Sequence, residues 1–231
     1  MTTPPVIAPD PLASYTPPVR WLLERTAPDE DAMALLDPRH SLESLYDTWT
    51  AKQLFPAALR LIVGVLPARE SVWWAWVSAR HASQVAGGTP ATADVHKTLV
   101  SIEQWIVRPE DDARRAAWDA GMAAGMDTPV GMIAAAVFLS GTSVAPPNVA
   151  PVPPPPGAAM PLVAGAILLS AASNQQPEQI VPTMAAFAAQ GLEIVKRLGG
   201  WDPALQLAYD THQRLEHDYT RATAPQPAPA R

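Results

Sequence analysis

The chain has 231 residues, 48% of them hydrophobic, which suffices for a sizeable core in a single domain. Sixteen Lys and Arg against 22 Asp and Glu give a net charge of −6 with no basic cluster, which argues against a nucleic-acid partner. There is no cysteine, so disulfides, thiolate zinc sites and a cysteine nucleophile are excluded, and a reducing, cytoplasmic setting is expected.

Met1 to Pro18 holds six prolines, with neither a basic nor an apolar run of the kind a signal peptide needs. Residues 1–18 and 222–231 are proline-rich and poor in large apolar side chains, so both are expected to be disordered tails around one helical domain, 19–221. Pro17 and Pro18 open a first helix through Arg25, proline being tolerated in a first turn. Asp29, Glu30 and Asp31 mark the start of the next, where the helix dipole favours negative charge. Ser41 caps a helix with Leu42, Leu45, Tyr46 and Trp49 on one face, and Phe55-Pro56 opens another that Pro67 stops. A helix over about 68–83 carries Trp73, Trp74 and Trp76, and Gly87 to Pro90 then makes a loop. Thr92 caps a helix bearing Leu99, Ile102 and Trp105; Pro109 to Asp112 begins one that ends near Gly125; Asp127 or Thr128 caps one through Leu139. Helices near 159–173 and 178–198 follow, then a Gly199-Gly200 stop and a last helix from Asp202-Pro203 to about Thr220.

No period of two is sustained and no hairpin turn signal occurs, so the fold is expected to be all-α. An irregular multi-helix bundle and a helical-hairpin array are both compatible with these short helices. Val130 to Pro177 contains no charged residue. Its two apolar segments are shorter than the ~20 residues that cross a bilayer, so they read as core helices and no membrane partner is expected.

Chemistry is hard to find. No phosphate loop, nucleophile elbow or dinucleotide fingerprint occurs, and no histidine pair has metal-ligand spacing; no cofactor or metal is expected. Asp29–Asp31 and Glu110–Asp112 sit at helix starts, where the dipole accounts for them. His212 and Glu216, four apart, read as an ordinary surface pair. Gly121 and Gly125 read as a close helix crossing.

Two features stand out. In the helix from Ala68, Trp73, Trp76, Val77 and Arg80 share a face and Trp74 points away, so burial on two sides, with Arg80 stacked on Trp76, is expected. Trp and Arg are also binding hot-spot residues, which makes Glu70, Trp73, Trp74, Trp76, Arg80 and His81 the candidate interaction surface. The second feature is Pro146 to Gly157, which cannot be helix and should run as polyproline II. Such a segment docks on an aromatic groove of its own protein or of a partner. Its apolar flanks favour an intramolecular strap, with Pro151 to Pro156 packed against Trp73, Trp74 or Trp105 and Pro153, Pro154, Pro155 and Pro156 joining the candidate interaction surface.

The strings Leu66 to Ala75, Pro109-Glu110-Asp111 with Arg114-Arg115, Asp127 to Gly131 and Ser140 to Pro147 resemble an uncharacterised bacterial helical family, a domain of unknown function encoded near type VI secretion system genes. The resemblance covers about 60–195. It implies an accessory or adaptor role with a secretion-system component or effector as partner, and brings no catalytic residues. A non-enzymatic interaction protein is therefore expected. The alternatives are an unfamiliar enzyme using Glu70, Arg80 and His81, or a membrane-associated helper.

Overall fold

The computed structural model describes residues 10–85, 92–173 and 176–224. Among them the chain forms eleven α-helices and no strand: α1 (Pro17–Thr26), α2 (Glu30–Met33), α3 (Leu42–Ala51), α4 (Phe55–Val65), α5 (Ala68–Val85), α6 (Ala93–Val107), α7 (Asp111–Ala124), α8 (Pro129–Leu139), α9 (Ala159–Ala172), α10 (Ile180–Arg197) and α11 (Trp201–Thr223). The fold is all-α. The expected caps are in place: Asp29, Ser41, Thr92 and Thr128 each accept a hydrogen bond from a first-turn N–H, satisfying one of the donors a helix start leaves free. A 3₁₀ turn, Pro177–Gln179, leads into α10.

Residues 10–16 are not a loose tail, since Leu12 is buried and its N–H donates to Asp10 at 2.9 Å. Arg20 pairs with Asp10 at 2.8 Å, tying this turn to α1. α11 likewise continues to Thr223. Residues 1–9 and 225–231, and the loop expected over Gly87 to Pro90, lie outside the described residues.

α4 is the hub. It is buried almost all round, and α1, α3, α9, α10 and α11 pack on it. The larger sheaf is built from consecutive neighbours, α6 on α7, α7 on α8 and α8 on α9, with α5 lying across α8 and α9. The charge-free stretch supplies α8 and α9, both packed into this sheaf as core. Gly121 does permit a close crossing: a Cβ there would stand 2.4 Å from the Ala134 Cβ, so α7 and α8 meet nearly backbone to backbone. Polar side chains fix the register between helices. Trp49 Nε1 donates to the Ala32 carbonyl at 3.1 Å, Trp76 Nε1 to Leu99 at 2.9 Å and the Thr98 hydroxyl to Ala120 at 2.9 Å. Leu22 and Leu23 are fully buried, each contributing about 1.5–3 kcal/mol, and they seat α1 on the hub. Among the described residues no helix is long and apolar enough to cross a membrane.

Candidate functional site

The polyproline segment is a strap on the body of the protein, held at both ends. At its root the Ser143 hydroxyl oxygen accepts from the N–H groups of Ala145 at 3.1 Å and Val152 at 3.0 Å, while Val144 N–H donates to the Val152 carbonyl at 2.8 Å. The chain therefore goes out and returns on itself before Pro153. Two arginines of α7 clamp this root. Arg114, almost fully buried, donates to the carbonyls of Phe138 and Ser143, the latter at 2.8 Å, and its guanidinium lies over the Phe138 ring. Arg115 donates to the Ala145 carbonyl at 2.8 Å. Asp111, in the first turn of α7, holds both guanidinium groups, and their hydrogen bonds, Arg115's above all, keep its carboxyl below the usual range. A Cβ on residue 141 would stand 2.3 Å from Arg114 Nε, so only glycine lets the chain pass there. At the far end Arg25 Nη1 donates to the Pro156 carbonyl at 3.3 Å, and Gly157, at φ +81°, turns the chain into α9.

The tryptophans proposed for the strap are not those beside the open space it borders. Trp74 is fully buried on the side facing α10, where a Cβ on Gly191 would be 2.6 Å from its ring, and Trp105 is buried in the core. Neither they nor Trp73 line the space beside the prolines. The aromatic side chain that does is Trp21 of α1.

Between the strap and α11 runs an apolar groove of about 440 Å³. Pro153 to Pro156 form one wall; Val63, Leu66, Val72, Met160 and Val163 form the floor; a stripe of α11 forms the other wall. That stripe, Leu207, Ala208, Thr211, Leu215 and Tyr219, repeats at the helical period and faces an opening instead of a packed neighbour. Leu207 is 48% exposed and Leu215 52% exposed, unusual for leucines at core-facing spacing.

A polar cluster closes one side. His212, next to Thr211 on the stripe, is buried, and its Nε2 lies 2.7 Å from Arg25 Nη2 and 3.1 Å from Glu216 Oε2. The Trp21 ring sits 5.2 Å from the imidazole, with Arg25 over its other neighbourhood at 5.6 Å. Burial first, and Arg25 second, push the His212 pKa down; Glu216 opposes them. His212 and Glu216 are thus not the exposed pair that their spacing suggested, because α1 covers the imidazole.

The tryptophan helix divides otherwise than its spacing suggested, since Trp73 does not share the burial of Trp76. Trp74 and Trp76 are buried, Arg80 stacks over Trp76 at 4.7 Å, and Trp73 is 41% exposed. His81 is exposed and meets the Phe187 ring edge-on at 5.8 Å. Glu70 is ten residues before Arg80, about 15 Å along the helix axis, so the structure does not bring Glu70 together with Arg80 and His81. Among the described residues no cluster of three His, Asp or Glu has metal-binding geometry.

The model of a family of unknown function, DUF6931, matches residues 45–195. No curated protein and no solved structure matches the chain.

Proposed function

The chain belongs to DUF6931, a family of unknown function, and we propose that it is a non-enzymatic helical adaptor whose groove receives an amphipathic helix of a partner protein. The observation that carries this reading is the half-exposed leucine stripe of α11 standing opposite a proline wall across a preformed apolar gap. Proline walls cost little conformational entropy to hold open, and helix-in-groove docking needs an apolar stripe of this kind. Asp218, which lines the groove on α11, favours a helix with basic residues flanking its apolar face. The secretion-machine setting is the finer part of the proposal. It rests on the resemblance of the strings around Arg114-Arg115 and Ser140 to Pro147, and places the adaptor in the cytoplasm beside a type VI secretion component or effector.

The test is crosslinking in a native bacterial host, with a photoreactive residue in place of Tyr219, which also lines the groove. Wild-type grooves should capture a defined secretion component, and Leu207→Asp with Leu215→Asp should abolish capture while leaving the melting curve intact. Capture that survives the double substitution, or is lost instead with Trp73→Ser, overturns the groove reading.

A further inference from the structure

Nε2 of His212 has two neighbours with opposite demands. Arg25 Nη2, at 2.7 Å, can only donate a hydrogen bond, whereas an ionised Glu216 Oε2, at 3.1 Å, can only accept one. A neutral ring protonated on Nδ1 offers its lone pair to Arg25. An imidazolium offers N–H to Glu216 and sets a positive charge against the guanidinium. One nitrogen cannot serve both partners at once.

Arg25 is also the residue that holds the far end of the strap. Its Nη1 reaches the Pro156 carbonyl at 3.3 Å, and it is seated so closely that a Cβ on Gly157 would stand 2.4 Å from it. The imidazole and the strap therefore share one guanidinium.

We propose that His212 and Arg25 form a proton-operated latch on the strap: neutral His212 seats Arg25 against the Pro156–Gly157 turn, and the imidazolium ejects it, freeing that end of the groove wall. As regulation of docking, this rests on the adaptor reading above; as a statement about the strap, it stands on the free protein.

The surroundings leave the latch few other masters. From α11, Glu216 faces the imidazole, with Asp218 and Tyr219 further along the groove. From α1 come Arg25 and, acting on Arg25, Glu24. The strap and α9 contain no ionisable side chain, and the one on α4, Arg60, is engaged with the Ala27 carbonyl at 3.4 Å. The root of the strap is held by Arg114 and Arg115 through bonds that do not involve His212, so only the far end is released. Burial and Arg25 both depress the His212 pKa, so the latch is closed at neutral pH and opens on acidification.

The experiment is a nuclear magnetic resonance titration of the free protein, following the His212 ring nitrogens together with the amides of Gly157, Ala158 and Val144. The Gly157 and Ala158 cross-peaks should shift with the midpoint of His212, while Val144 at the root stays still. In Arg25→Met, a change at an exposed residue that leaves the core intact, both strap-end cross-peaks should start near their acid positions at neutral pH and cease to follow His212. Strap-end amides that stay fixed while His212 titrates overturn the latch, as does an unchanged shift in Arg25→Met. No partner is present, so a failure of groove docking and a failure of the latch are separate results.

Discussion

Replacing Arg114 by Met removes the guanidinium while keeping most of the stem, and so isolates its hydrogen bonds from its packing. Two of those bonds run to main-chain carbonyls, at Phe138 and Ser143. Bonds from a charged donor contribute about 1.5–3 kcal/mol each, net of the exchange with water, and the lower end applies where the freed carbonyls become hydrated. The arm to Asp111 adds less than about 1 kcal/mol, because that carboxylate is half exposed and screened. Arg114→Met should therefore destabilise the fold by about 2–4 kcal/mol, a shift of about 5–15 °C in melting temperature for a chain of this size. Arg115→Met is the internal comparison. Its side chain is 22% exposed and it reaches one carbonyl, Ala145, so about 0.5–1.5 kcal/mol is expected. Thermal and denaturant unfolding of both variants decides the matter. A loss for Arg114→Met no larger than for Arg115→Met would show that the strap root is not held by the buried guanidinium.

Replacing Pro153 to Pro156 by Gly and Ser should cost about 1–3 kcal/mol, by loosening the unfolded chain and stripping contacts, and should move tryptophan emission to the red through Trp21. Gly121→Val should cost about 1–3 kcal/mol or more in a denaturant melt, since its first carbon would already overlap Ala134. The pH dependence of stability has a definite sign: His212 holds its proton less tightly folded than unfolded. Stability from this group is intact above about pH 6.5 and is lost as pH falls below it, because the unfolded chain then binds the proton first. Denaturant midpoints measured from pH 7.5 to 5 should show that slope in the wild type, and His212→Gln should flatten it.

The helices were legible because each boundary carries its own local chemistry. Asp29, Ser41, Thr92 and Thr128 are short polar side chains placed where a first turn needs an acceptor, and each does that work. The stacking of Arg80 on Trp76 and the burial of α8 and α9 were readable for the same reason, being consequences of spacing within one helix or of a long charge-free run. The strap was legible as a strap, since proline forbids helix. Where it docks was not. The choice of Trp73, Trp74 or Trp105 followed tryptophan density in the sequence, whereas α5 turns Trp74 toward α10 and α6 buries Trp105 in the core. Of the groove's polar cluster only the His212–Glu216 spacing was visible, because Arg25 and His212 are 187 residues apart. A trace of the groove was present in α11, where Leu207, Thr211, Leu215 and Tyr219 recur every four residues. Periodicity reports an apolar face but does not distinguish a packed one from an open one.

The matched region and the groove do not coincide, and the mismatch says how the site is assembled. Residues 45–195 contain the hub α4, the α7 arginines, Gly141 and the whole strap. They supply a floor and one wall, with the wall's root locked by Asp111, Arg114 and Arg115. The separate strings Pro109 to Arg115 and Ser140 to Pro147 thus turn out to be the two halves of one anchor. The other wall and the latch come from α11 and α1, which lie outside the match. A groove with one wall in the shared body and one in the flanking helices can keep its architecture while the leucine stripe, Trp21 and the Arg25–His212 pair vary independently of it. Substitutions at Arg114 and Gly141 should therefore act on folding, and substitutions at Leu207 and Leu215 on docking alone. Exchanging the exposed residues of the α11 stripe between members of the family should transfer partner choice without moving the melting temperature. Partner choice that instead followed residues 45–195 would place recognition in the shared body and leave α11 as a structural strut.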